Sequence, residues 1–209
     1  MMKDMRPHLF SFDFDDTLAH FCGDLEGLFG IFERAGVPRK IVRAAYQNLR
    51  NSGGFSITRF VAVLHGAGFT PTATTGEAEA KRWLATSLEL YPDAARLIGT
   101  PLKIPSAIVT FGDPDYQRQK ISIVGLDQLP TFIVSEPFSK AKPLRQLIAD
   151  YGAPIAHVDD VGSELDAIRH AGLTETEVIT YHIVRSSSPE PHTEFPHKQI
   201  SSLNQIFGD

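Results

Sequence analysis

The feature that most constrains the fold is the regular alternation of short β-branched runs with amphipathic segments in the C-terminal half of the chain. Strands are predicted for KIPSAIVTFG, PTFIVSE, PIAHVDD and TEVITYHIVR, with an amphipathic helix between each pair. Consecutive strands joined by helices of this length need right-handed crossover connections, which produce a parallel sheet. HLFSFDF, residues 8–14, predicts one more strand near the N-terminus. The sequence therefore predicts an α/β fold with a doubly wound, Rossmann-like parallel sheet of about five strands.

A long helical insertion is predicted between the first strand and the second. Apolar residues three and four positions apart, with helix start and stop signals at the ends, recur in DLEGLFGIFERAG, PRKIVRAAYQNLR, SITRFVAVLHGAG and GEAEAKRWLATSLELY. We therefore predict a catalytic core of residues 1–19 and 101–209 and a helical cap of residues 20–100. The phenylalanines of the cap are predicted to form its core rather than a substrate site. At the C-terminus, residues 186–197 predict a polar surface loop and KQISSLNQIF a short helix.

Composition excludes several classes of protein. The 209 residues carry a formal net charge of -5, which argues against a protein that coats nucleic acid or an anionic membrane. The single cysteine, Cys22, excludes an intramolecular disulfide and a thiolate metal cluster. We find neither the apolar core of a signal peptide nor an apolar run long enough to span a membrane. These observations predict a cytoplasmic protein.

Polar residues cluster where the predicted strands end. In an open parallel sheet, ligands bind beyond the carboxyl ends of the strands. Several carboxylates close together repel one another unless a cation or a proton intervenes, and Mg²⁺ prefers such oxygen ligands. A lysine and backbone N–H groups would then hold the charge of a phosphate. The residues concerned are Asp13, Asp15, Asp16 and Thr17 after the first strand, Thr110, Phe111 and Gly112 after the second, Lys140 and Lys142 before a helix, and Asp159 and Asp160 after the fourth.

Four motifs in a fixed order resemble those of the haloacid dehalogenase-like (HAD) hydrolase superfamily. The first is DFDDTL, which begins at Asp13, and the second is the strand AIVT, which ends at Thr110. SKAKPLRQL supplies the lysine motif, and HVDDVGSE supplies paired acids after a strand. Each motif alone is weak, but the four together span residues 9 to about 184 in the order of the family.

The resemblance implies a role for each of these positions. Asp13 resembles the nucleophile that forms an aspartyl-phosphate, and Asp15 resembles the general acid and base. Thr110 and the N–H groups of Phe111 and Gly112 resemble the phosphate-binding group. The implied cofactor is Mg²⁺, with Asp13, the backbone carbonyl of Asp15 and Asp160 as ligands and with Asp159 and Glu164 in the acidic surroundings. The presence of Asp15 implies phosphate esters as substrates, because the dehalogenases of the superfamily lack this second aspartate.

Two lysines fit the third motif. Lys140 is followed four residues later by Leu144, as in family members with K-x-x-x-L, whereas Lys142 stands directly before a proline, as in members with K-P. We favour Lys140 and keep Lys142 as the alternative. Asp16 and Asp113 are predicted to be a turn former and a helix cap. Glu164 is predicted to be an acid that interacts with the start of a helix.

The leading functional prediction is a Mg²⁺-dependent phosphatase that acts on a small phosphorylated metabolite, with no nucleic-acid or membrane partner. A phosphomutase or a phosphonate hydrolase of the same superfamily is the first alternative. A non-catalytic phosphate-binding or signalling protein is the second. Receiver domains also combine acids, threonine and lysine around an aspartyl-phosphate, but they are shorter and lack a helical insertion after the first strand. Neither the physiological substrate nor the oligomeric state follows from the sequence.

Overall fold

A computed structural model describes residues 6–52, 54–98, 104–185 and 193–207. The chain divides into two compact units. The sheet unit comprises Met1–His20, Leu90–Phe111 and Gly125–Asp209, and the helical unit comprises Phe21–Glu89 and Gly112–Val124. The predicted domain boundaries, 1–19 with 101–209 and 20–100, stay a prediction.

The strands and helices of the described residues alternate as expected in the C-terminal half. The strands are β1 (Phe10–Phe12), β2 (Ala19–Phe21), β3 (Leu88–Leu90), β4 (Ser106–Phe111), β5 (Thr131–Val134), β6 (Ile155–Asp159), β7 (Val178–Ile183) and β8 (Lys198–Ile200). The helices are α1 (Leu25–Arg34), α2 (Arg39–Asn51), α3 (Ile57–Gly66), α4 (Thr70–Ser87), α5 (Pro114–Ile123), α6 (Ala141–Tyr151), α7 (Gly162–His170) and α8 (Asn204–Phe207). A 3₁₀ helix spans Ala94–Leu97.

The sheet unit contains a six-stranded sheet in the order β5-β4-β1-β6-β7-β8, and all its strand pairs are parallel. The chain first adds β4 and β5 on one side of β1 and then crosses to add β6, β7 and β8 on the other. The carboxyl end of β1 is therefore a topological switch point, where ligands bind in open α/β sheets. This architecture confirms the predicted fold class.

Side chains of β1 alternate between the two faces of the sheet. Leu9, the residue before β1, packs on one face with Leu144 of α6 and Leu165 of α7, in a cluster of fully or almost fully buried residues. Phe10 and Phe12 point to the opposite face, where both rings lie against Phe207 with centroid distances of 5.8 and 6.0 Å. Burial on both faces explains why residues 9–12 are apolar apart from Ser11, before the acids that follow β1.

The helical unit is built around a core of aromatic and aliphatic side chains from α1–α5. The rings of Phe32 and Phe60 are fully buried and meet edge to face at 5.0 Å. The prediction that the phenylalanines of this region form a core is therefore confirmed for the buried members of the set. Asp113 caps α5, because its Oδ1 accepts a hydrogen bond from the Tyr116 N–H at 3.0 Å. None of the helices in the described part of the chain has the length and apolarity needed to cross a membrane.

Three sequence predictions differ from the structure at the level of elements. The sheet has six strands rather than about five, and β2 and β3 form a separate two-stranded sheet. The predicted C-terminal helix of residues 198–207 is instead β8 followed by α8, since Tyr181, His182 and Ile183 of β7 pair with residues 198–200. Pairing with a neighbouring strand overrides local helix preference here. Residues 186–192 of the predicted surface loop lie outside the described residues.

The side chain of Arg185, just beyond β7, makes hydrogen bonds to two other segments of the sheet unit. Its Nη1 lies 2.7 Å from Asp93 Oδ2, and its Nη2 donates to the Thr17 carbonyl at 2.7 Å. Asp93 Oδ2 also accepts hydrogen bonds from Ser202 Oγ at 2.7 Å and the Leu203 N–H at 2.8 Å. Burial opposes the charge of Asp93, but these donors hold the pKa of its carboxyl below the ordinary value.

Replacement of Asp93 by asparagine is expected to lower the free energy of unfolding by about 2 kcal/mol at pH 7, because hydrogen bonds to a charged group contribute about 1.5–3 kcal/mol. The lowered pKa means that this contribution exists above the unfolded value of about 3.9 and is lost as the pH falls through the folded value. Urea unfolding of wild type and Asp93→Asn at pH 7 and at pH 3 tests both points. The exposed Asp127→Asn serves as the control. An equal difference between Asp93→Asn and wild type at the two pH values would contradict the account.

Candidate active site

Asp13 stands at the switch point because pairing with β6 continues one residue beyond β1. Its N–H donates to the Val158 carbonyl at 2.8 Å, which follows the register of Phe12 with Val158. The next positions in this register are Asp13 and Asp159, so the two acids lie side by side. Asp13 is only 6% exposed and Asp159 is fully buried.

Lys140 bridges these two acids. Its Nζ lies 2.7 Å from Asp13 Oδ1 and 2.6 Å from Asp159 Oδ2, and its side chain is 3% exposed. Burial opposes the charge of the ammonium, but Asp13 and Asp159 raise the pKa of Lys140 above its ordinary value. Lys140 is the residue directly before α6, whereas Lys142 lies inside α6 and is exposed. The structure thus brings Lys140 to the acids and leaves Lys142 at the surface.

Asp160 completes the acidic cluster. Oxygen atoms of Asp13, Asp159 and Asp160 all lie within 4.8 Å of one another. The Thr17 hydroxyl donates to Asp160 Oδ1 at 3.2 Å, and His182 Nε2 donates to the Asp160 carbonyl at 3.0 Å. The polar turn after β1 and the strand β7 therefore both fix the position of Asp160.

The three acids differ in how easily they carry charge. Burial, together with the neighbouring carboxylates, raises the pKa of Asp13 to about 7 despite Lys140. Burial and the charges of Asp13 and Asp159 raise the pKa of Asp160 to about 8. Asp159 is also buried, but Lys140 and a hydrogen bond from His157 lower its pKa to about 2. The cluster therefore holds more carboxylate than Lys140 alone compensates, as expected of a site that takes a further cation.

The donor set fits a hard divalent cation. Mg²⁺ takes oxygen ligands and is normally bound by one or two carboxylates with several waters. Asp159 is poorly suited to direct ligation, because its Oδ2 accepts from Lys140 and His157 and its Oδ1 accepts from the Val161 N–H at 3.0 Å. The hydrogen bonds of Asp13 and Asp160 described above use Oδ1 in both residues. Asp13 and Asp160 are therefore the better candidates to hold a shared metal ion.

The remaining predicted residues lie at or near the same edge of the sheet. Asp15 is half-buried in the turn after β1, and its charge contributes to the raised pKa of Asp13. Thr110 and Phe111 are the last two residues of β4, and Thr110 is 1% exposed. Gly112 follows with a φ of 147°. This backbone conformation favours glycine, and a Cβ there would also displace the end of the Gln117 side chain, whose Nε2 would lie 2.8 Å away. Their roles in binding phosphate stay a prediction.

Glu164 lies in the first turn of α7, as predicted, and it is only 7% exposed. Its Oε1 accepts a hydrogen bond from the Phe138 N–H at 3.1 Å. Phe138 lies two residues before Lys140 and has a φ of 59°, which is rare for an aromatic residue. Glu164 therefore supports the backbone that leads into Lys140.

Sequence reasoning missed Ser11 and His157. Both are fully buried beneath the acids, and His157 Nε2 lies 3.3 Å from Asp159 Oδ2. A signal was present in the sequence, since His157 is a polar residue in the apolar run that leads to Asp159. In a strand, residues two apart point to the same face. That spacing alone places His157 under Asp159.

No protein-family model matches the sequence, and no curated protein matches it. Solved structures match over nearly the whole chain. A protein described as a haloacid dehalogenase-like hydrolase from Burkholderia xenovorans is 20% identical, with a TM-score of 0.65 and coverage of 97% of this chain and 95% of that one. The L-2-haloacid dehalogenase of Xanthobacter autotrophicus is 16% identical, with a TM-score of 0.60 and coverage of 96% and 97%. A protein described as a beta-phosphoglucomutase from Thermotoga maritima is 14% identical, with a TM-score of 0.58 and coverage of 88% of both chains. These likenesses show a shared fold.

Proposed function

We propose that this chain, which has the fold of the haloacid dehalogenase-like hydrolases, is a Mg²⁺-dependent enzyme that hydrolyses a small phosphomonoester through an aspartyl-phosphate. One observation carries the proposal. Asp13 is held 2.7 Å from the buried Lys140 ammonium, within a cluster whose carboxylate oxygens from Asp13, Asp159 and Asp160 approach one another within 4.8 Å. Such a site offers a nucleophile, a fixed positive charge and ligands for a metal ion at one place.

In the first step of the proposed reaction, an Asp13 oxygen attacks phosphorus, and the bond from phosphorus to the ester oxygen breaks. Asp15 donates its proton to the departing oxygen, so that an alcohol leaves. In the second step, Asp15 accepts a proton from water as the water oxygen attacks the same phosphorus. The bond from phosphorus to Asp13 then breaks, inorganic phosphate leaves, and Asp13 and Asp15 return to their starting states.

The surrounding residues of this chain stabilise charge in both steps. Lys140 is positioned to hold a phosphoryl oxygen while it remains paired with Asp159, and Thr110 with the N–H groups that follow β4 is proposed to hold another. When bound by Asp13, Asp160 and the backbone carbonyl of Asp15, Mg²⁺ supplies positive charge against the phosphate and the acids. Asp159 is proposed to orient Lys140 rather than to bind the metal ion directly.

A 2-haloacid dehalogenase is the second candidate function. The observation in its favour is the Asp13–Lys140 ion pair itself, because Lys140 compensates the charge of Asp13 without a metal ion. Asp15 argues against it, since a departing halide needs no proton. A phosphomutase would use the same nucleophile and the same Asp15, so product analysis has to separate it from a phosphatase.

Assays with two substrates decide between these candidates. We expect phosphate release from p-nitrophenyl phosphate in the presence of Mg²⁺, loss of that activity with a chelator, and no chloride release from 2-chloropropionate. Chloride release that persists with the chelator, without phosphate release, would favour the dehalogenase. Equal, metal-independent behaviour of wild type and an Asp13→Asn variant would contradict any enzymatic role for this site.

Replacement of Asp15 by asparagine is expected to lower turnover of an alkyl phosphate ester by about 10²–10⁴-fold, the usual contribution of a general acid or base. With p-nitrophenyl phosphate, the rate of the first step should fall less, because p-nitrophenolate leaves without protonation. Asp16→Asn is a matched control, since Asp16 is exposed, has a φ of 53°, and asparagine tolerates this conformation. Equal losses in both variants would show that the effect of Asp15 is not specific.

The proposed function includes a cytoplasmic location and a small phosphorylated metabolite as the substrate.

A further inference from the structure

A continuous chain of buried polar side chains lies beneath the acids. Ser11 and His157 face each other across β1 and β6, and Ser11 Oγ lies 2.9 Å from His157 Nδ1. His157 Nε2 lies 3.3 Å from Asp159 Oδ2, and Lys140 Nζ lies 2.6 Å from the same oxygen. Ser11, His157 and Asp159 are all fully buried. Polar groups are costly to bury, so the three buried side chains need a physical explanation. The last of them, Asp159, contacts the lysine that is paired with Asp13.

The partners determine which ring nitrogen of His157 carries the hydrogen. An ionised carboxylate only accepts hydrogen bonds, so His157 Nε2 has to be the donor to Asp159 Oδ2. Burial lowers the pKa of His157, which favours a neutral ring with a single hydrogen. Nδ1 is then an acceptor, and the Ser11 hydroxyl at 2.9 Å is positioned to donate to it.

Ser11 has a second acceptor within reach, the Ala156 carbonyl at 3.0 Å. One hydroxyl hydrogen serves one of these two acceptors at a time. If the Ser11 hydroxyl hydrogen pointed to Ala156, a lone pair of the hydroxyl oxygen would face a lone pair of His157 Nδ1. This repulsion would be avoided in a neutral ring only if Nδ1 carried the ring hydrogen. In that tautomer, Nε2 would carry no hydrogen and would face the Asp159 carboxylate. For a neutral ring, the arrangement that satisfies Ser11, both ring nitrogens and Asp159 runs from Ser11 to His157 to Asp159.

The consequence is a carboxylate fixed on both oxygens. Asp159 Oδ1 accepts from the Val161 N–H at 3.0 Å, and Oδ2 accepts from His157 and from Lys140. Rotation of Asp159 would break these bonds together. Lys140 Nζ is thereby held between Asp159 and Asp13, 2.7 Å from Asp13 Oδ1.

We propose that Ser11 and His157 are positioning residues of this site. Ser11 donates to Nδ1 of neutral His157 and fixes the ring, whose Nε2 hydrogen is directed to Asp159. His157 in turn holds Asp159 so that Lys140 is presented to Asp13. The inference deepens the proposed function and rests on it for its effect on turnover. Its structural part, the position of one hydrogen, does not depend on which substrate the enzyme uses.

Nuclear magnetic resonance of ¹⁵N-histidine-labelled protein tests the structural part directly. The His157 signals are assigned by their absence from a His157→Gln variant. We expect a neutral ring at pH 7 with hydrogen on Nε2 in wild type. In Ser11→Ala we expect the same tautomer with a shifted Nδ1 signal, because Nδ1 loses its hydrogen-bond donor while Asp159 keeps the hydrogen on Nε2. Hydrogen on Nδ1 in wild type, or a Ser11→Ala spectrum identical to that of wild type, would overturn the proposal.

Steady-state kinetics with p-nitrophenyl phosphate and Mg²⁺ tests the effect on turnover. His157→Leu removes the donor to Asp159 and is expected to lower kcat by about 10–100-fold, the range seen for groups that orient the residues of a metal site. His157→Gln keeps an amide N–H at the distal position and is expected to recover most of that loss. The exposed His170→Gln serves as the control. Equal activity, or equal impairment, of the leucine and glutamine variants would overturn the proposal.

The two readouts separate failure of this inference from failure of the proposed function. If wild type hydrolyses no phosphoester, the proposed function fails, and the tautomer of His157 alone decides the inference. If wild type is active but the tautomer is wrong, the inference fails while the proposed function stands. Circular dichroism of each variant identifies any that does not fold, and Ser11→Ala, which removes a single oxygen, then decides the outcome.

Discussion

Replacement of Asp13 by asparagine is expected to lower the rate of phosphate release by at least about 10³-fold, because the loss of a covalent nucleophile removes a step that the other residues do not replace. The fold should remain intact. An asparagine oxygen still accepts a hydrogen bond from Lys140, which also remains paired with Asp159 at 2.6 Å. The substitution also removes one of three mutually repelling acids, so the free energy of unfolding without metal is not expected to fall. Activity assays and urea unfolding on the same preparations measure both quantities.

Two further variants make this result interpretable. Asp13→Ala excludes activity that arises from slow deamidation of the introduced asparagine. Asp127→Asn changes an exposed acid of the same unit and should retain the wild-type rate. An Asp13→Asn variant that keeps more than about a tenth of the wild-type rate would contradict the assignment of Asp13 as the nucleophile.

Replacement of Lys140 by methionine is expected to lower the free energy of unfolding of the metal-free protein by about 3–5 kcal/mol, because it leaves buried carboxylates without their partner. The acids affected are Asp13, which is 6% exposed, and Asp159, which is fully buried. Phosphate release should also fall by about 10²–10³-fold, the loss typical of a group that stabilises charge in the transition state. Mg²⁺ should restore part of the lost stability, since a cation at the same carboxylates replaces part of the missing charge.

Lys142→Met is the matched control, since it makes the same chemical change two residues away on an exposed side chain. Surface substitutions of this kind usually change stability by less than about 0.5 kcal/mol. Urea unfolding of the two variants, with and without Mg²⁺, therefore compares a buried and an exposed lysine directly. A larger effect of Lys142→Met than of Lys140→Met would show that the wrong lysine has been placed in the site.

The parallel sheet could be predicted from the sequence because its strands and helices alternate with clear apolar periodicity. The acids at the strand ends could be predicted for the same reason, since every parallel strand delivers its carboxyl end to one edge of the sheet. The structure brings Asp13, Lys140, Asp159 and Asp160 together as that rule requires. Local pattern and global fold agree wherever the segments are long and periodic.

Short elements and buried polar residues could not be predicted in the same way. β8 has three residues, and only its pairing with β7 distinguishes it from the helix that its residues suggest. The choice between Lys140 and Lys142 depends on the point at which α6 begins, and sequence patterns locate helix ends only approximately. From the sequence alone, His157 is only a polar residue within an apolar strand. Its contacts with Ser11 and Asp159 depend on the register between β1 and β6, which only the folded chain supplies.

The measurement that tests the central claim most directly is acid quench of the Asp15→Asn variant during turnover of p-nitrophenyl phosphate, followed by peptide mass spectrometry. This substrate loses its leaving group without a proton from Asp15, whereas hydrolysis of the aspartyl-phosphate still needs Asp15 as the base. The account predicts that the intermediate accumulates, with one phosphoryl group per chain on the peptide that contains Asp13. Phosphate release without any phosphorylated peptide, or a phosphoryl group on a different residue, would contradict it.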